Sequence, residues 1–235
     1  MTGNYAINAP AILGSNSQIQ KAIKIIDKIS TTNSAVLIIG ESGTGKELVA
    51  RTIHDKSTRS SNPFIVVYCS GFSEIQIENE LFGCEKSSFD SSESEKIGAF
   101  ENANSGTIVL KDISGLNNST QFKILNVMST KLFRRVGGNT NIRVDVRIIA
   151  TSKNDLFYHV KQGNFRDELF YRLNVITIKL PNLVEIKYDI KLFIDSFIYK
   201  YCTLHGLPIS RMSPEALHML ESYVSDHRGG LTPNP

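Results

Sequence analysis

Residues Ala35–Glu47 read AVLIIGESGTGKE, and this stretch decides the fold. Five apolar residues, three of them β-branched, suit a buried parallel strand. The chain then breaks into Gly40, Glu41, Ser42, Gly43, Thr44, Gly45 and Lys46. The three glycines allow a tight turn in which successive backbone N–H groups point inward at a phosphate. A helix is expected to start near Gly45 and run through LVARTIHDK, its N-terminus adding the positive end of a dipole. Lys46 is placed to reach the β- and γ-phosphates of a nucleotide. The usual pattern continues with Ser or Thr, whose hydroxyl meets Mg²⁺; here the residue is Glu47. Gly40–Glu47 is therefore the expected binding segment for ATP or ADP. Without a ligand the same residues would be a plain turn, but GxxxxGK between a strand and a helix is a specific spacing.

Outward from this loop the chain alternates strand and helix. Apolar strand candidates are Ala35–Ile39, Phe64–Tyr68, Thr107–Leu110, Val146–Thr151 and Val175–Leu180, with helical stretches such as Ser119–Lys131 between them. Phe133–Val144, with its Gly-Gly-Asn centre, reads as a β-hairpin. Ser57–Asn62 and the Ser- and acid-rich Ser87–Glu95 read as loose connectors. The order predicts an α/β fold: a three-layer αβα core around a mainly parallel five-stranded sheet. After Pro181 the pattern turns helical. Asp189–His205 places Ile190, Phe193, Ile194, Phe197, Ile198 and Tyr201 on one face. Ser213-Pro214-Glu215 is a helix start, with Ser as N-cap and Pro at the first position. The expected divisions are an N-terminal extension (1–11), the nucleotide-binding core (12–182), a partial helical lid (183–224) and a disordered tail (225–235).

Composition excludes more than it assigns. The 235 residues carry a net charge of +3, too small to argue for nucleic-acid binding. Hydrophobic content of 41% and charged content of 21% are those of a soluble globular protein. No apolar run approaches a membrane span and no secretory signal is visible, so a cytoplasmic location is expected. Cys69, Cys84 and Cys202 are odd in number and widely spaced, which reads as reduced thiols rather than a metal or disulfide framework.

Five blocks in order, GESGTGKE, ELFGCEK, GAFENANSGTIVL, RIIATSKNDL and FRDELFYRLNVITIKLP, resemble the AAA+ domain of sigma-54-dependent transcriptional activators, the bacterial enhancer-binding proteins. The resemblance covers about Ile12 to Tyr223. It implies a P-loop AAA+ core with a helical lid, assembly with itself or related subunits into a ring, and ATP-driven remodelling of the sigma-54 RNA polymerase. Glu47 after the Lys is what this family uses. Arg166 and Arg172 match its paired arginines, which reach the nucleotide of the neighbouring subunit; an arginine finger is worth about 10³–10⁵ in rate. Read structurally, they would instead pair with Asp167, Glu168 or other acids of a solvated helix.

The departures from the family carry the rest. Its Walker B strand ends in Asp-Glu, and those slots fall on Lys111 and Asp112. An ammonium at the first repels Mg²⁺, a swing of several kcal/mol even at an effective dielectric of about 20, so no metal site is intact and Mg²⁺ is in doubt. The second, Asp112, is the candidate for activating water but is one methylene short. A misplacement of roughly 1 Å costs about a hundredfold, and losing general-base work costs about 10²–10⁴. As plain structural residues, Lys111 would extend to solvent and Asp112 would cap a turn. The family's Asn that restrains the catalytic acid falls on Tyr68, and its sensor position on Ser152-Lys153, with Asn154 one place along. The sigma-54 contact loop, GAFTGA in the family, falls on Ser87–Ser92, where Phe89 survives and Asp90 adds a charge.

A receiver domain before Asn8, the WPGNVREL-like lid segment and a helix-turn-helix are absent from the sequence, and Arg228 does not stand in for the lid's sensor arginine. The expectation is a truncated or decayed copy, or an excised domain, without direct DNA binding. Three functions remain open on sequence: a nucleotide-binding pseudo-ATPase that regulates transcription through sigma-54, an active ATPase remodelling the polymerase closed complex, and a decayed product without selected function.

Overall fold

A computed structural model describes residues 12–85 and 95–226. The chain opens with α1 (Ser17–Ile29), capped by the Asn16 side chain accepting from the Gln18 amide. Then come β1 (Val36–Ile39), α2 (Lys46–Asp55) and β2 (Phe64–Tyr68). Helix α3 (Glu74–Phe82) begins in a reciprocal Ser73–Gln76 capping box. A short hairpin of β3 (Gly83–Cys84) and β4 (Lys96–Ile97) leads to α4 (Ala99–Asn102), β5 (Thr107–Lys111) and α5 (Asn118–Thr130). A second hairpin, β6 (Leu132–Phe133) with β7 (Ile142–Arg143), precedes β8 (Arg147–Ser152), α6 (Leu156–Lys161), α7 (Asp167–Leu173) and β9 (Ile176–Lys179). Helices α8 (Ile190–His205) and α9 (Pro214–Asp226) follow.

The main sheet has the order β2-β5-β8-β1-β9, with parallel pairing throughout. Because side chains alternate along a strand, one strand feeds two cores. Leu37, Ile108, Leu110, Ile148 and Ala150 face a core completed by Leu81, Phe82, Phe100, Ile124 and Leu169 from α3, α4, α5 and α7. Val36, Ile38, Val109, Ile149 and Ile178 face the other, against Ala22, Ile26, Val49, Ala50 and Ile53 from α1 and α2. Burying an Ile or Leu side chain contributes about 1.5–3 kcal/mol, so these two clusters hold the three layers together. The predicted αβα P-loop architecture is the observed one.

Two expectations need correction. Ser57–Asn62 is not loose. Ser57 is buried, its hydroxyl donating to the His54 carbonyl. Arg59 donates to Asn33 Oδ1, the Gly106 and Asp145 carbonyls and the Asp145 carboxylate. A polar stretch is ordered here because its partners lie on other elements. The α8 stripe is also less buried than its pattern suggests. Ile190 is buried and Phe193, Ile194 and Ile198 half-buried, but Phe197 and Tyr201 are exposed and stack on each other at 6.4 Å. The helix meets the rest of the fold chiefly at its start. There the buried Asp189 carboxylate accepts from the Ser15 amide and hydroxyl and the Asn16 amide. At α9 the predicted start holds, the Ala216 amide donating to Ser213 Oγ at 3.2 Å.

Candidate nucleotide site

The carboxyl ends of β1, β5 and β8 meet on one edge of the sheet, where open α/β folds receive ligands. At the end of β1 the Gly40 amide donates to the Ser152 carbonyl of β8 at 3.1 Å. Close packing requires a glycine at 40: a Cβ there would stand 2.7 Å from Thr44 Oγ1 and 3.2 Å from Leu180 Cβ. Gly43 and Gly45 have φ of 83° and 87°, left-handed values that an L side chain resists. Glu41, Ser42 and Gly43 are exposed at the tip, while Thr44 Oγ1 donates back to the Glu41 carbonyl at 2.9 Å. Gly45 caps α2, so the free amides of the first helical turn open onto the loop.

Lys46 is buried, and its ammonium donates to the Gly40 and Glu41 carbonyls at 2.5 and 2.8 Å. Burial lowers its pKa; Asp112 works against that, and the Lys153 and Lys111 ammoniums add to the lowering. Three ammonium groups thus influence one another around this loop.

Lys111 does not extend to solvent. Its side chain is 20% exposed, and its Nζ donates to Glu47 Oε2 at 2.8 Å and to the Tyr68 hydroxyl at 3.0 Å. It also lies 4.1 Å from the centre of the Tyr68 ring. Strand pairing brings this about, because Tyr68 on β2 is in register with Lys111 on β5. Partial burial would lower the Lys111 pKa, but the hydrogen bonds to Glu47 and Tyr68 outweigh it and the net shift is upward. The side chain is a fixed cation, not an incidental one.

Asp112 sits in left-handed backbone, φ 53° and ψ 53°, at the start of a 3-10 turn over Ile113–Gly115. Its amide donates to Thr151 Oγ1 at 3.1 Å. Its carboxylate makes no capping bond; Lys153 Nζ stands 3.9 Å from Oδ2, and Oδ1 is buried without a partner. Ser152 is the last residue of β8, its hydroxyl donates to the Asn154 carbonyl, and Lys153 is the side chain beside Asp112.

These residues do not fit Mg²⁺. The ion takes oxygen ligands in near-octahedral geometry. Here an ammonium engages the Glu47 carboxylate, and a second ammonium adjoins Asp112.

Of the predicted arginines, Arg172 lies in the last turn of α7 and Arg166 is the residue that caps its start. The Arg166 amide donates to Gln121 Oε1 at 2.8 Å, and its guanidinium stands 5.3 Å from the Phe122 ring centre and 3.4 Å from Glu168 Oε2. Arg172 is exposed. The sheet edge therefore gathers Gly40–Glu47, Tyr68, Lys111, Asp112 and Lys153, whereas the contacts of Arg166 are with Gln121, Phe122 and Glu168. Phe89, Asp90 and Arg228 lie outside the described residues. Sequence reasoning missed Thr151, whose hydroxyl holds the Asp112 amide; its one trace is a Thr inside the apolar run RIIATS. No described helix is long and apolar enough to cross a membrane.

Comparison with known proteins places the fold in a family. The family model described as the sigma-54 interaction domain matches residues 12–179. The chain belongs to the sigma-54 interaction domain family. Regulatory protein AtoC of Escherichia coli is 40% identical over 221 residues, covering 94% of this chain and 46% of AtoC. Crystal structures of NtrX from Brucella abortus superpose with a TM-score of 0.79 at 33% identity, both in complex with ATP, over 92% of this chain and 49% of that one, and in complex with ADP, over 91% and 48%. This sigma-54 interaction domain thus spans about half the length of the relatives it matches. Its five-stranded parallel sheet and flanking helices are the AAA+ P-loop fold.

Proposed function

We propose that this chain binds ATP or ADP as the AAA+ domain of a sigma-54-linked transcription regulator, and that it hydrolyses ATP weakly or not at all. One observation carries the reading: Lys111, at the position where relatives are expected to place the metal-holding acid, is tied to Glu47 at 2.8 Å beside the phosphate loop. Binding is supported by the left-handed glycines, the buried Lys46 and the open N-terminus of α2, and by the likeness to NtrX crystallised with ATP and with ADP. Loss of turnover is supported by the chemistry of the edge. Phosphoryl transfer depends on placing positive charge on the β- and γ-oxygens and on positioning water. Asp112 must do the second task from a carboxylate held near Lys153.

In this reading residues 12–182 form the core and 183–224 a partial lid. Assembly with other AAA+ subunits uses Arg166 and Arg172, and the segment around Phe89 and Asp90 provides a weakened contact for sigma-54. The exposure of Arg172 favours a contribution to a neighbour's site, so this chain could complete or silence a ring built with an active relative. Calorimetric titration with ATP tests the binding half: a defined isotherm is expected, lost in Lys46→Ala. A wild-type protein that is folded and binds no ATP at millimolar concentration removes the proposal.

A further inference from the structure

Phosphate-binding loops usually receive their nucleotide with a divalent cation, because the β- and γ-oxygens crowd negative charge that one lysine does not balance. In this domain ammonium groups take up or adjoin the carboxylates that could meet that ion, while the phosphate cradle is kept. What stands in the ion's neighbourhood is a side chain with a charge of its own. Lys111 Nζ is fixed from two sides, by the Glu47 carboxylate at 2.8 Å and the Tyr68 hydroxyl at 3.0 Å, with the Tyr68 ring beneath it at 4.1 Å. Glu47 is the residue next to Lys46 in the first turn of α2, so this ammonium is held at the mouth of the phosphate loop.

We propose that Lys111 serves as the built-in cation of the site, so that this domain binds the metal-free form of a nucleoside di- or triphosphate and gains nothing from Mg²⁺. The inference rests on the nucleotide-binding reading above and deepens it.

Three observations support it beyond the substitution itself. An ammonium has three N–H donors; Glu47 and Tyr68 account for two, which leaves one for a phosphate oxygen. The Lys111–Glu47 pair is half open to water, with side chains 20% and 52% exposed. A pair so open to water adds little to the fold, so stability alone gives little reason for so well-held a cation. Finally, Lys46, Lys111 and Lys153 sit close enough for the latter two to depress the Lys46 pKa, against attraction from Asp112 and Glu41. A polyphosphate would be met by three ammoniums where its relatives would use one and a metal ion. Adding Mg²⁺ to the ligand cancels charge the site is built to meet and sets an ion against an ammonium. By linkage, a protein that prefers metal-free ATP binds more weakly in excess Mg²⁺, because the ion competes for the nucleotide.

The test is calorimetric titration of ATP, and separately of ADP, into the full chain in EDTA and in excess Mg²⁺. The wild type is expected to bind in EDTA at least as tightly as in Mg²⁺. Lys111→Met is expected to weaken binding in EDTA by about tenfold, and Lys111→Asp to reverse the preference so that Mg²⁺ strengthens binding. Wild-type binding that appears only with Mg²⁺, or tightens clearly on adding it, overturns the inference while leaving nucleotide binding intact. Absence of binding in both solutions, from protein with a cooperative melt, overturns the nucleotide reading itself and the inference with it. The wild-type comparison decides the matter even if either variant fails to fold.

Discussion

The Asp112 amide donates to Thr151 Oγ1 at 3.1 Å, tying the left-handed residue after β5 to the neighbouring strand. Left-handed backbone costs a non-glycine residue about 1–2 kcal/mol, and Thr151, fully buried, helps to hold it there. Thr151→Val keeps the shape and removes the acceptor. The variant should lose about 1 kcal/mol of stability in urea unfolding. A value indistinguishable from wild type would show that the hydroxyl does not hold Asp112.

Among the described residues Arg147 is the largest fully buried side chain, at the start of a strand whose next three residues are apolar. It donates to the Ile29 and Ser30 carbonyls at 2.9 and 2.8 Å, satisfying the C-terminal end of α1. Burial lowers its pKa to about 10, which leaves it charged at neutral pH. Arg147→Met should cost about 3 kcal/mol, since two charge-assisted bonds go and two carbonyls are left buried. Arg147→Lys should cost about half as much. Denaturant midpoints measured together rank the three proteins.

His54 is buried between α2 and the sheet, its Nδ1 2.9 Å from the buried Thr107 hydroxyl and its ring 5.1 Å from Phe64. Burial lowers its pKa below the ordinary 6.5, with Arg51 and Arg147 adding to the shift and Asp55 opposing it. The unfolded chain therefore binds this proton more readily than the folded one. The contribution is fully present above pH 6.5, falls as the pH drops through the window below that value, and levels off below the folded pKa. Unfolding free energy should decline from about pH 7.5 to about pH 5, and His54→Gln should be less stable at the upper pH but show a smaller decline. An unchanged slope in the variant would assign the effect elsewhere.

The main sheet was legible because its strands are short apolar runs bounded by turn residues, and Phe64–Tyr68 falls where its pattern places it. The strand pairs Gly83–Cys84 and Lys96–Ile97 left no such trace, since two residues carry no period and their pairing is tertiary. Lys111 and Asp112 could be singled out from the chain as departures from a family pattern. That Lys111 would engage Glu47 could not, because the partners are 64 residues apart and meet only once the sheet brings the end of β5 towards the start of α2. Arg147 was hidden for the same reason: a lone basic residue among Val146, Ile148 and Ile149 gives no hint that two carbonyls of α1 await it. Periodicity reports which face a residue is on, whereas the chemistry at the ends of strands depends on what folding brings opposite.

The central claim is that an ammonium in place of a metal-holding acid leaves a site that grips nucleotide without turning it over. Steady-state ATP hydrolysis with Mg²⁺, at protein concentrations high enough to favour assembly, tests it most directly. The account predicts turnover near background, unchanged in Arg172→Ala. Robust Mg²⁺-dependent turnover that Arg172→Ala abolishes would contradict it.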